Sequence, residues 1–229
     1  MRKAAVALVL VVVSRLVETG APAAAPPIDG AVVQVSGAEM CSGVFVAPYA
    51  LVTAAHCVVE PSGKAVGVSF GVRHSISTNI PACWAATQPM SCDWAVVRFA
   101  GPPAPLVHAL SPDRTPVGSP LKLVGFPWNG FGAQQTLSGT VYLYLDGYQD
   151  ELFYTNPGIQ GFSGGPLLAP DGLVRGVHGY LVAPWILPDP SGAGAATTTE
   201  MLRDVAAIPV GVYLVLPFTP AHSPPPAGR

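Results

Sequence analysis

Leu51-Val52-Thr53-Ala54-Ala55-His56-Cys57 begins as a β-strand and ends as something else. Ala50 to Thr53 is apolar and suited to a pleated, buried ladder. Two alanines follow, small enough to let the imidazole of His56 face a cleft. Cys57 comes next, and Cys41 stands upstream in Cys41-Ser42-Gly43-Val44-Phe45-Val46. A bond between the two would restrict where the histidine can sit. A lone histidine is more often structural than reactive, so the rest of the chain decides what His56 could do.

Two further stretches bear on it. Cys92-Asp93-Trp94-Ala95-Val96-Val97 carries an acid into an apolar strand, which is costly unless the acid is paired. Other aspartates, such as Asp113, Asp146 and Asp171, stand beside Pro or Gly and read as turn residues. Gly161-Phe162-Ser163-Gly164-Gly165-Pro166 presents a serine among glycines, which permit backbone conformations closed to other residues. Serine-based acyl transfer needs a nucleophile, a base to take its proton and an acid to orient that base. It also needs fixed N–H donors for the oxyanion. Ser163, His56 and Asp93 fit the first three roles, and the N–H groups of Gly161 and Ser163 fit the last.

With these motifs in the order His, Asp, Ser, the chain resembles the chymotrypsin-like (trypsin-fold) serine peptidases over about residues 31 to 208. The resemblance implies an all-β protein of two six-stranded antiparallel Greek-key β-barrels with a short C-terminal helix. It implies an N-terminal barrel within 24–108 carrying His56 and Asp93, and a C-terminal barrel and helix within 109–208 carrying Ser163. It further implies a serine endopeptidase acting through an acyl-enzyme, with protein or peptide substrates, no cofactor and no metal. In that family the cysteine after the histidine pairs with one some sixteen positions earlier, here Cys41.

Gly125-Phe126-Pro127, Gly176-Val177-His178 and Gly194-Ala195 before a Thr-capped helix are similar to the V8-like, glutamyl endopeptidase branch. By that resemblance the residue near Gly158 lines the base of the S1 pocket, and His178, with Gly179 beside it, meets a substrate carboxylate. A preference for Glu or Asp at P1 is the implied specificity. A strand histidine satisfied by the backbone is the competing reading of His178. The hydroxyl that usually assists is missing at Gly158, leaving Thr155 or Thr197 to substitute. Phe162 departs from the pattern. The animal digestive and clotting branch has Asp there, which binds a newly freed N-terminus, and the bacterial branch usually has Asn. A phenyl ring accepts no ammonium group, so that switch is not used. A collapsed loop at Phe162 would instead make the chain an inactive homologue serving as a binding module.

Composition and ends agree with export. Arg2 and Lys3 precede the apolar run Ala4 to Val13, and Ala21-Pro22-Ala23 offers a cleavage site, so residues 1–23 read as a secretory signal. The apolar run is too short to span a bilayer, which takes about 20 residues. Losing Arg2, Lys3, Arg15 and Glu18 changes the balance from 11 basic and 13 acidic residues to 8 and 12. With no basic run, nucleic acid and membrane partners are not expected, and a secreted monomer is. Cys41, Cys57, Cys83 and Cys92 are an even set in an exported chain, which predicts two disulfides. Three pairings are open; Cys41–Cys57 with Cys83–Cys92 closes the most local loops. Zinc is the rival, but there is no C-x-x-C pair.

Strands are expected near Val32–Val35, Gly43–Val46, Leu51–Thr53, Val66–Val72, Trp94–Phe99, Leu121–Phe126, Leu137–Tyr144 and Val174–Tyr180. Gly101 to Pro120, with six prolines, reads as the linker between two β units. Thr197-Thr198-Thr199 can cap a helix over Glu200 to Ile208, stopped by Pro209. Residues 209–229 are expected to be an extension whose end is unstructured, with the apolar strip Val210 to Phe218 unassigned.

Overall fold

Runs of valine, leucine and alanine short enough to be strands, separated by Gly and Pro, pair here into two closed antiparallel barrels. The computed structural model describes residues 29–128, 132–145, 151–156, 158–182 and 191–207. The expected signal over 1–23 and the extension over 209–229 lie outside them. Among the described residues, no helix is long and apolar enough to cross a membrane.

The first barrel comprises β1 (Val32–Ser36), β2 (Met40–Ala47), β3 (Ala50–Thr53), β4 (Ser69–Phe70), β5 (Arg73–Asn79) and β6 (Ala95–Phe99). The second comprises β7 (Pro120–Gly125), β8 (Gln135–Leu145), β9 (Glu151–Tyr154), β10 (Pro166–Leu168), β11 (Val174–Val182) and β12 (Ser191–Ala196). Strand order is β1-β2-β3-β6-β5-β4 in one and β7-β8-β9-β12-β11-β10 in the other. Each barrel therefore makes the same Greek-key crossover, its third strand lying beside its sixth. Closure removes the free edges that an open sheet would expose.

Four strands escaped sequence reading. β5 (RHSISTN) is largely polar, while β9 and β10 are very short and β12 (SGAGAA) has almost no side chains to show a period. The strand expected over Val66–Val72 is reduced to Ser69–Phe70. The Val66 N–H turns to the Val58 carbonyl and the Val68 N–H to Ser75 Oγ, so neither joins the ladder. A six-residue helix, α1 (Ala82–Thr87), was also unforeseen. The terminal helix, α2, runs Thr199–Ala206, with Thr198 Oγ1 accepting the Met201 N–H.

Gly101 to Pro120 does connect the barrels, and it is tied down along the way. Ala104 and His108 donate to Pro48 and Phe45 of the first barrel, and Ser111 donates to Val174 of the second. One core cluster runs through the first barrel and into the interface, taking in Val124, Leu168, Val177 and Met201. A second fills the C-terminal barrel around Leu123, Leu152, Tyr154 and Phe162. The first cluster therefore packs the two barrels against each other.

Candidate functional site

Antiparallel pairing of β3 with β6 aligns Thr53 with Ala95. His56 follows the end of β3 by three residues and Asp93 precedes the start of β6 by two, so the ladder delivers both to one rim. His56 sits on the short 3-10 turn Ala55–Cys57, and Asp93 caps the end of another, Met90–Cys92. A disulfide anchors each turn: Cys41–Cys57 ties the histidine turn to β2, and Cys83–Cys92 ties the aspartate turn to α1. The expected local pairing is the observed one. Cys41 and Cys57 sulfurs lie near the His56 ring, but both are consumed in the disulfide and offer no thiolate to a metal.

Asp93 is buried and uses both oxygens on His56. Oδ2 is 2.7 Å from Nδ1, and Oδ1 accepts the His56 backbone N–H at 3.0 Å. Burial alone would lower the histidine pKa. The Asp93 hydrogen bond and charge, with help from Glu39, outweigh it and raise the pKa above the ordinary 6.5. Nε2 remains for other business. A cavity of about 420 Å³ lies beside the ring, lined in part by Glu39, Glu60 and Trp84.

Ser163 reaches the same place from the second barrel, on the loop between β9 and β10. Gly161 and Gly164 have φ of +97° and +81°, values that side chains oppose. The loop is laddered to β11 by Gly164 N–H to the His178 carbonyl at 2.8 Å and His178 N–H to the Gly165 carbonyl at 2.9 Å. A Cβ on Gly164 would strike Thr53 Oγ1 and the Ser42 carbonyl, which shows how tightly the loop abuts β2 and β3. Gly179 completes the link. Its Cα lies against Asp93, where a Cβ would be 3.0 Å from Oδ2, and its carbonyl accepts Ser163 Oγ–H at 3.4 Å. Ser163 and His56 are not hydrogen-bonded to each other. Among the described residues, the N–H groups of Gly161 and Ser163 have no partner.

His178 is 2% exposed, and its Nδ1 pairs with the hydroxyl of Tyr154. Burial first, then the nearby positive charge of His56, lower its pKa to about 3 against the opposing pull of Asp93. It is a neutral ring at physiological pH. Burial also raises the Tyr154 pKa well above 10, so that phenol keeps its proton. A Cβ on Gly158 would collide with His178 Nε2, so the glycine leaves that nitrogen uncovered on one side. The two hydroxyls considered as helpers are engaged elsewhere: Thr197 donates to the Val174 carbonyl at 3.0 Å, and Thr155 pairs with Thr140 at 3.2 Å.

Phe162 is fully buried in the second barrel's core. Sequence reading did not single out Ser42, Tyr154 or Trp128. Ser42 is fully buried and bonds the serine loop, and Trp128 donates its N–H to the Gln160 carbonyl at 3.0 Å. Ser42 follows Cys41, and its one clue is a polar residue in an otherwise apolar strand.

Comparison with known proteins bears on the fold and the family. The trypsin-like peptidase domain family matches residues 41–177, a span that holds all three motifs. No curated protein matches the chain significantly. Among solved structures, a Glu endopeptidase in complex with MPD superposes with TM-score 0.66 at 18% identity, covering 77% of this chain and 89% of that one. A thermostable serine protease, AL20, from an extremophilic microorganism gives 0.65 at 16%, covering 76% and 94%. The protease Anisep from Arthrobacter nicotinovorans gives 0.61 at 18%, covering 78% and 95%. At such identities the likeness speaks to fold.

Proposed function

Because this chain belongs to the trypsin-like peptidase domain family, we propose that it is an exported serine endopeptidase whose reaction is carried by Ser163, His56 and Asp93. The observation that carries the reading is the buried Asp93–His56 pair, 2.7 Å apart, set beside a serine loop with two unpartnered N–H groups. The unit within 24–108 supplies the base and its acid, and the unit within 109–208 supplies the nucleophile.

Substrate binding draws the Ser163 hydroxyl from the Gly179 carbonyl to His56 Nε2. Nε2 takes the proton as Oγ attacks the scissile carbonyl carbon, and Asp93 stabilises the imidazolium. The oxyanion meets the Gly161 and Ser163 N–H groups, donors of a kind worth about 3 kcal/mol each in the transition state. Collapse passes the His56 proton to the leaving amine and leaves an acyl-Ser163. Water, activated by the same histidine, then releases the acid. Neither cofactor nor metal enters these steps.

For specificity we favour Glu or Asp at P1. Donation from the Tyr154 hydroxyl to His178 Nδ1 places the ring proton on Nε2, on the side that Gly158 leaves uncovered. A neutral N–H in low dielectric is a strong partner for a carboxylate and does not require the protein's own ring to be charged. The solved Glu endopeptidase shares the fold, which supports this choice.

A fluorophosphonate probe tests the enzyme directly. Stoichiometric labelling of the folded protein, abolished in Ser163→Ala, is the expected result; absence of labelling would favour the inactive binding module. Cleavage of a peptide library should show acidic P1 residues, and an unchanged preference in His178→Ala would remove that residue from the specificity pocket.

A further inference from the structure

A trans peptide points its carbonyl and N–H to opposite sides, so fixing one fixes the other. Trp128 N–H holds the Gln160 carbonyl at 3.0 Å, which turns the Gly161 N–H the other way. Gly165 N–H holds the Phe162 carbonyl at 2.8 Å, which does the same for Ser163 N–H. Between these lies the Gly161–Phe162 peptide, which follows a residue with φ +97° and whose N–H donates within the loop to Ile159 at 3.0 Å. Its carbonyl is gripped from the other barrel: Ser42 Oγ donates to it at 2.7 Å.

Every polar group of Ser42 has a partner. Its Oγ also accepts Phe126 N–H at 2.9 Å, its N–H donates to the Ser163 carbonyl at 2.7 Å, and its carbonyl accepts Thr53 Oγ1–H at 2.7 Å. Gly125 makes room for the arrangement, since a Cβ there would lie 2.7 Å from the Phe162 ring and 2.8 Å from Ser42 Oγ. A buried, fully satisfied polar residue of this kind fixes one geometry.

We infer that Ser42 is the positioning residue of the oxyanion loop: from the first barrel it clamps the Gly161 and Ser163 carbonyls and presets the two N–H donors, with Phe162 packed beneath as a plug. The loop is then ready without an acid at position 162 and without an ion pair to a chain terminus. This deepens the peptidase reading and rests on Ser163 being the nucleophile.

Ser42→Ala removes the hydroxyl and keeps the N–H bond to Ser163. In protein that retains its circular dichroism, kcat should fall by about 10-fold or more, on the scale of losing part of one oxyanion donor, with KM within about 2-fold. Inhibition by a peptidyl trifluoromethyl ketone should weaken in parallel with kcat/KM, while fluorophosphonate titration still reaches one label per chain. A purely structural role would leave inhibitor and substrate binding equally affected. Unchanged kcat in folded Ser42→Ala overturns the role of Ser42 alone. No labelling of the wild-type protein overturns Ser163 as nucleophile and this role with it. If Ser42→Ala does not fold, a crystal structure of the free wild-type protein decides: the Gly161 carbonyl on Ser42 Oγ supports the clamp, and a carbonyl turned into the cleft refutes it.

Discussion

The two barrels share one strand order yet are fastened by different means. Both disulfides lie in the first, one behind His56 and one behind Asp93. The second barrel holds its serine loop by burial and hydrogen bonds, with Phe162 in the core, Tyr154 on His178 and Tyr180 on Glu151. A base must sit at one angle to its acid, and a covalent staple restricts that angle even at a solvent-facing rim. An oxyanion loop must present backbone groups, and packing fixes a backbone where no side chain can. Covalent reinforcement thus stands behind His56 and Asp93 and packed reinforcement behind Ser163, the two halves of the proposed reaction.

The largest effect should come from the stapled side. Asp93→Asn keeps the size of the side chain but favours the wrong tautomer of His56, so kcat should fall about 10⁴-fold. The disulfides and the fold should survive, as circular dichroism and thiol titration would check. A fall of less than about tenfold would mean that the pair is structural.

On the packed side, Phe162→Ala empties a fully buried site and should cost about 3–5 kcal/mol, read from denaturant unfolding. Phe162→Asp should be worse, because it buries a carboxylate with nothing opposite. If Phe162→Asp instead raises kcat in folded protein, the plug is a handicap and the loop relies on some other support.

Opening Cys83–Cys92 by a double Ser substitution should cost less, about 2.5 kcal/mol for so short a loop. The loss should appear as a lower kcat as well as a lower Tm, since the staple stands one residue before Asp93. A Tm loss with kcat unchanged would confine the bond to stability and weaken the contrast between the barrels.

The contrast also explains what could be read in the chain. The pairing of His56 with Asp93 at the rim of the first barrel was legible because its parts are side chains in a fixed order, with four cysteines that have local partners. The glycines around Ser163 marked a tight loop, and the order of His56, Asp93 and Ser163 singled it out. The clamp was not, because Ser42 acts on backbone carbonyls from 119 residues away and leaves no spacing to detect. β12 hid for a related reason: Gly192, Ala193, Gly194 and Ala195 let neighbours come close and carry no apolar period. A Cβ on Gly192 would be 2.6 Å from the Tyr154 ring, so the strand's emptiness makes room for the aromatic ring that holds His178. Burial of small residues is a property of the fold, invisible until the partner is known.

The smallest effect separates the two charges that raise His56. Only the neutral base accepts the serine proton, so activity should fall as pH drops through a pKa above 6.5. The sign for stability is opposite: because folding raises this pKa, the stabilisation is full below about 6.5 and is lost as pH rises through the folded value. Asp93 is buried at 2.7 Å, whereas Glu39 is exposed and acts through solvent. Glu39→Gln should therefore move the acid limb of kcat/KM to lower pH by less than Asp93→Asn does. Added salt should move the wild-type limb the same way by screening Glu39, and should move the limb of Glu39→Gln less. If salt shifts both proteins equally, the raising charge lies elsewhere on the rim and Glu39 is a bystander.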